Sequence, residues 1–344
     1  PLDASVSGTN TGDQDLSGLV PYTGATGTVN LGTQNLTTTG TLSSGGLNLP
    51  TTTSIAGTIN INAVRYFHAY GTNLFLGANA GNFTTTVSNI TGIGGETWLN
   101  NTTGTGLVAV GYQAGKFNVK GTNNSYFGYQ AGYSGTTVVS SITITNGGTG
   151  YTAGALIVDN TGTGGTGLAG TYTVDGSGVI NGITITNNGS GYNSAPVVTP
   201  QAGGTSAVLT PVLASATENT ATGYQALYSN TTGINNTANG YYSLRSNTTG
   251  GSNTALGYNA GRSITTGGTN SFFGTDAGYH ASQKVDATNS MALGNEAYTT
   301  ASNQVVIGNA SVTQILCGQS SQAEVVAGKL ETTVAGEGII VKSP

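Results

Sequence analysis

Two pairs of carboxylates come nearest to a catalytic constellation in this sequence: Asp159 with Asp175, and Asp276 with Glu296. Cleaving a glycosidic bond takes two carboxyl groups about 5–9 Å apart, one to protonate the leaving oxygen and one to attack or to activate water. The thirteen acidic residues are scattered over 344 positions, and solvated turns account for both pairs more simply. Two histidines, His68 and His280, and one cysteine, Cys317, form no recognisable Ser-His-Asp or Cys-His arrangement. His68 stands in Arg65-Tyr66-Phe67-His68-Ala69-Tyr70, where packing explains it. The stretch 164–170, GGTGLAG, is glycine-rich, but no Lys-Ser/Thr follows it to hold a phosphate. Calcium-binding repeats need regularly spaced Asp, which this sequence lacks. The expectation is a protein without catalysis, metal or cofactor. A polysaccharide depolymerase using one of the carboxylate pairs is the enzymatic alternative.

Whatever these residues do, a repeat has to position them. From Asn219 the chain reads NTATGYQALYSNTTGIN, NTANGYYSLRSNTTGGS, NTALGYNAGRSITTGGT, NSFF. Gly223, Gly240, Gly257 and Gly274 are 17 residues apart, and so are Gly77, Gly94, Gly111 and Gly128. A fixed period of this length signals stacked repeats. The 95 positions from Gly128 to Gly223 are one repeat plus 78, so an insertion interrupts a continuous array. Steps of 20 to Gly294 and 14 to Gly308 complete ten coils, irregular at the end as terminal repeats often are.

Each glycine serves as position zero. Position +3 is always small, for example Ala226, Ser243, Ala260 and Ala277. Something packs closely there, either the opposite wall of a flat coil or a neighbouring chain. Position −2 mixes Ala with Phe and Tyr, and −1 is mostly bulky. Several Gly, Thr and Asn per coil disfavour helix and favour short strands broken by turns, two of each per coil. The predicted fold is an all-β parallel β-solenoid, or β-roll, of about ten 17-residue coils. Ten coils at the strand spacing make a rod of about 50 Å. Asn73, Asn124, Asn219, Asn236, Asn253 and Asn270 recur at −4, where stacked amides can bond along the axis. Tyr112, Tyr129, Tyr224, Tyr241 and Tyr258 recur at +1. They read as a surface stacking ladder in preference to a sugar-binding platform.

Charged residues are 6% of the chain, against about 25% in ordinary domains. The net charge is −5 and the eight basic residues are dispersed, which argues against nucleic acid. No apolar run is long enough to span a membrane. One cysteine excludes an intrachain disulfide framework. A chain that begins at Pro1 reads as a piece of something longer. Coils lined by Ala and Ser bury little apolar surface alone, so association of several chains is expected to supply the rest.

The segments follow in order. Residues 1–64 form a Thr/Gly-rich β shaft leader, 65–134 the first coils and 217–312 the second, with 313–344 an exit segment containing the strand Ile339-Ile340-Val341. In the longer step, His280, Lys284 and Asp286 mark a bulged loop. The insertion, 135–216, is duplicated: Ile142 to Tyr151 repeats as Ile183 to Tyr192, 41 residues on. Alternating Ile and Thr, an Asn-Gly turn and a terminal Gly-Tyr predict a small all-β domain extruded from the rod. Its Tyr151 and Tyr192 are the candidate ligand-binding residues, expected to lie exposed at turn ends.

The repeat NTALGYNAG and the 14-residue final step, MALGNEAYTTASNQVVIG, resemble the head repeats of trimeric autotransporter adhesins. The same repeat between a Thr/Gly leader and GEGIIVKSP is similar to phage tail fibre sequences, and Ile-Thr-Asn-Gly-Gly-x-Gly-Tyr to small β modules of phage structural proteins. The resemblance covers residues 70–312 outside the insertion. It implies a parallel homotrimer of left-handed β-rolls around a three-fold axis, on a virion or otherwise outside the cell, that spaces or mediates attachment to a cell-surface glycan or protein. A purely structural self-assembling filament is the alternative.

Overall fold

The computed structural model describes residues 58–61, 64–82, 88–201 and 203–312. Most of the leader and the whole exit segment, with its proposed last strand, lie outside the described residues. The described part is all-β, with eighteen strands in two sheets.

Strands β1 (Thr58–Ile61) and β2 (Val64–Tyr70) form an antiparallel hairpin. It pairs antiparallel with β3 (Asn73–Leu76) and so covers the first edge of the solenoid, the position where a repeat array needs a cap. From β3 the pairing turns parallel, through β4 (Ile90–Ile93), β5 (Leu107–Val110) and β6 (Ser125–Phe127). The next six strands leave the rod: β7 (Val138–Thr149), β8 (Gly154–Asp159), β9 (Thr166–Val174), β10 (Ile180–Ser190), β11 (Val197–Pro200) and β12 (Thr205–Ala214). The rod then resumes with β13 (Thr220–Thr222), β14 (Thr237–Asn239), β15 (Thr254–Leu256), β16 (Ser271–Phe273), β17 (Met291–Leu293) and β18 (Val305–Ile307). β13 pairs with β6 in the same register that β14 keeps with β13, so the insertion costs the stack no phase.

Each coil contributes one short strand where two were expected. The other walls are turns, tied coil to coil by backbone bonds such as Leu227 N to Ser243 O at 3.0 Å and Thr248 N to Thr265 O at 2.7 Å. The organising glycine follows the strand with φ between 116° and 142° from Gly77 to Gly294. A Cβ added to Gly223 would lie 2.4 Å from the Gly240 carbonyl oxygen of the next coil, so stacked backbones meet too closely there for any side chain.

The +3 residues from Ala80 to Ala297 point into their own coil and are buried, which settles what packs against them; Ser311 of the last coil is exposed. The mixed sizes at −2 have a partner at +4. Phe75, Tyr126 and Phe272 face Gly81, Gly132 and Gly278, where an added Cβ would lie 2.3–2.6 Å from the ring. Ala221 and Ala238 instead accompany Leu227 and Leu244, all four fully buried. In the coil of Gly94 the large residue is Trp98 at +4, opposite Gly92, and its indole N–H donates to Thr91 O at 3.1 Å. Trp98 is fully buried and thus fills the interior of its coil. In the coils of Gly111 and Gly257 both positions are small, and large residues of adjacent coils lie over the glycines, Trp98 over Gly115 and Leu244 and Phe272 over Gly261, as close packing demands.

Tyr126 puts a phenol into this interior. Burial pushes its pKa well above the ordinary value of 10.0, while a hydrogen bond with Asn219 opposes the shift. The folded state therefore favours the protonated phenol, and its contribution is complete below pH 10 and lost as pH rises beyond that. Thermal melts of Tyr126→Phe, which cannot ionise, are expected to fall less steeply above pH 10 than those of the parent. Equal slopes would exclude Tyr126 as a source of alkaline lability.

The −4 asparagines form a ladder of a different kind from amide on amide. Each side-chain oxygen mainly accepts the backbone N–H of the same position one coil on: Asn236 N to Asn219 Oδ1 at 3.0 Å, Asn253 N to Asn236 Oδ1 at 2.9 Å and Asn270 N to Asn253 Oδ1 at 3.0 Å. Their amide nitrogens reach carbonyls of the next coil, as in Asn236 Nδ2 to Gly250 O and Asn253 Nδ2 to Gly267 O, both 2.9 Å. Direct amide pairing joins only some neighbours, such as Asn270 Nδ2 to Asn253 Oδ1 at 3.0 Å. A second row, Asn101, Asn118, Asn230 and Asn247, donates to the glycine carbonyl three residues on. These buried amides satisfy turn carbonyls that water cannot reach.

The inserted sheet has the order β10-β9-β8-β11-β12-β7. Its duplication is interlocked: the long strand of each copy pairs with the last strand of the other, β7 with β12 and β10 with β9. The middle strands β8 and β11 pair with each other at the centre. A bond from Asn188 Nδ2 in β10 to Val139 O in β7, 2.6 Å, joins the two outer strands.

Candidate functional site

The structure corrects the placement of the two candidate tyrosines. Tyr192 is fully buried, so it offers no surface to a ligand. Its ring fills the space over Gly165, where an added Cβ would lie 2.2 Å away. Its hydroxyl donates to Asn160 Oδ1 and accepts from Leu168 N, each at 3.2 Å. Tyr151, its counterpart, is half-buried and meets Tyr172 edge to face at 6.3 Å. A Gly-Tyr at a strand end reads as an exposed turn, but both rings fold back over glycines into the domain core.

The residues flanking Tyr192 do line a cavity. Gly191 and Asn193, with Gly164, border a space of about 370 Å³ between the insertion and the coils. Asn82, Asn100, Thr102, Phe117 and Val119 face them from the rod. Thr102 Oγ1 and Asn193 Oδ1 span the seam at 3.4 Å. No charged side chain lines it, so it offers amide and hydroxyl hydrogen bonds beside one aromatic ring and no group to transfer a proton.

The carboxylates are placed for turns. Asp159 accepts from Thr161 N at 2.8 Å, and hydrogen bonds from Thr161 hold it below its ordinary pKa, opposite to the need of a general acid. Asp175 accepts from Ser177 N and Val179 N within its own turn. Asp276 accepts from Asn259 Nδ2 at 2.8 Å, and Glu296 is exposed. In the expected loop, Lys284 pairs with Asp286 and His280 stacks on Tyr298 at 3.9 Å. Among the described residues no group of three or more His, Cys, Asp and Glu could hold a metal ion.

The strand face of the coils also carries exposed apolar side chains. In each rung −4 and −2 point inward while −3 and −1 point out. The outward −1 residues Leu76, Ile93 and Phe127, and then Leu256, Leu293 and Ile307, are 37–50% exposed, in two blocks separated by Thr222 and Asn239 of the same row. The +1 tyrosines run beside them, stacked ring on ring at 5.0–5.7 Å. Because the rings cover one another, only edges and hydroxyls face outward, which is the stacking ladder and not a set of open platforms. A hydrogen bond with Tyr242, then desolvation, pushes Tyr241 up to about 12, so this hydroxyl stays protonated at neutral pH.

The fold defines a β-solenoid carrying an inserted antiparallel β-domain. Comparison with protein-family models, with curated proteins and with solved structures finds no match to this chain.

Proposed function

We propose that the chain is a non-enzymatic structural fibre segment, a homotrimer of solenoids outside the cell or on a virion, that spaces or mediates attachment to a cell surface. The observation that carries this reading is the pair of outward apolar blocks on the strand face. Large apolar side chains thus stand outside as well as inside the coils, whose interior is by number mostly alanine. Exposed apolar blocks of this kind mark an interaction surface. A parallel copy related by rotation about the rod axis presents the same blocks at the same coil spacing, so like blocks face one another. Water leaving the blocks contributes about 25 cal/mol for each Å² covered. The inserted domain would then project from each of three rods, with its seam cavity repeated three times.

Sedimentation of the native particle is expected to give the mass of three 34.2 kDa chains. Leu256→Asp and Leu293→Asp together are expected to shift it toward single chains. A parent particle that sediments as one chain removes the fibre reading.

A further inference from the structure

A second row of side chains runs along the rod at +5 from the organising glycines: Lys116, Tyr133, Tyr228, Arg245, Arg262 and Tyr279. It is joined to the tyrosine row through Tyr242, whose ring lies 4.1 Å from that of Tyr241. Tyr133 and Tyr228 stack at 4.9 Å with planes 2° apart. Beyond them rings and cations alternate. The Arg245 guanidinium lies 5.3 Å from the centre of Tyr228 and 4.9 Å from that of Tyr242. Arg262 lies 4.6 Å from Tyr242 and 4.7 Å from Tyr279.

Stacking of this kind occupies the faces of a guanidinium and leaves its N–H edge. Each arginine spends one donor on a neutral amide, Arg245 Nε on Gln225 Oε1 at 2.9 Å and Arg262 Nη1 on Asn259 Oδ1 at 3.1 Å. Among the described residues the only ion pairs belong to Lys116 and Lys284. The nearest carboxylate in this network, Asp276, is engaged by Asn259 and does not pair with either arginine. A chain with eight basic residues and a net charge of −5 thus sets two of them on successive coils, neither in an ion pair among the described residues. Like charges so placed repel, and the aromatic stack holds them there with their long side chains already ordered.

We infer that Arg245 and Arg262 form a docking site for carboxylate or sulfate groups of an acidic polysaccharide. This rests on the attachment reading and names the class of surface polymer attached to. Each guanidinium edge can donate two N–H bonds to two oxygens of one carboxylate or sulfate group, while the buried amides of Gln225 and Asn259 behind them hold the arginines in place. Nucleic acid fits less well, because its affinity comes from many phosphate contacts at once and this wall offers two cations on a negatively charged chain.

The test uses the full chain against immobilised polygalacturonate, dextran sulfate, neutral dextran and single-stranded DNA. Binding is expected to at least one of the first two, weakening with salt, and not to neutral dextran. Arg245→Gln with Arg262→Gln is expected to weaken it at least about tenfold, each single change by less, while Lys120→Gln, on the coil of Gly111, leaves it unchanged. The proposal is overturned by no binding to either polyanion, by equal binding in the double variant, or by tighter binding to DNA. A trimer that adheres to cells but ignores both polyanions sinks this site and leaves the attachment reading standing. A single chain that adheres to no cell sinks that reading itself.

Discussion

Gly240→Ala is expected to lower stability by more than about 4 kcal/mol, the range reached only by a few specific mechanisms. Two of them act together here. Gly240 has φ 142°, outside what an L side chain adopts, and the new Cβ would lie 2.2 Å from the Gly257 carbonyl oxygen. The obstacle is backbone, so no rotamer relieves it. Separation of the two coils would, at the expense of ladder bonds such as Gly257 N to Asn239 O at 2.9 Å and Thr237 N to Asn253 O at 2.8 Å. Gly71→Asn is the control: φ is 60°, which Asn tolerates, and nothing lies within 4 Å of the added carbon. Its thermal midpoint is expected to match the parent. If Gly240→Ala also melts with the parent, close approach of glycine backbones does not set the coil spacing.

Asn253→Leu is the second large effect. Leucine has a similar shape and is apolar, so a hydrophobic interior alone would accept it. Asn253 Nδ2, however, donates to Gly267 O, and its oxygen accepts both Asn270 N and Asn270 Nδ2 at 3.0 Å. Leucine leaves these buried groups without that partner, at about 1–3 kcal/mol for each one orphaned. The exposed Asn295→Leu provides the comparison and is expected to change stability by less than about 0.5 kcal/mol. Urea unfolding of the two variants measures the difference. Near-equal midpoints would mean the buried amides are dispensable.

The rod was readable because its constraint is periodic. Gly223, Gly240, Gly257 and Gly274 mark a backbone contact that recurs every coil, and the small +3 residues mark the inward wall. The exchange of volume between −2 and +4 was also written there, in Phe272 with Gly278 and Ala238 with Leu244. It shows only when two positions six apart are read together. The asparagines announced a ladder but not its partners, since one amide can bond to side chain or backbone alike. Tyr192 was misplaced because local turn chemistry says nothing of which side a ring folds toward; Gly165, distant in sequence, makes the room for it. The seam cavity joins residues as far apart as Asn82 and Asn193, which no local pattern links. The arginine stack lay in the same period, at +5, yet cations and rings share it so irregularly that no single residue type fills it.

The crossed pairing of β7 with β12 and β10 with β9 bears on how such a graft can arise. One copy alone, β7 to β9, would hang from the rod with its longest strand unmated, an open edge inviting adhesion to any passing chain. Half a graft is therefore a hazard and a whole one is self-sealing. Selection would meet the duplication as a single step, after which the host array can gain or shed whole turns on either side without disturbing its passenger.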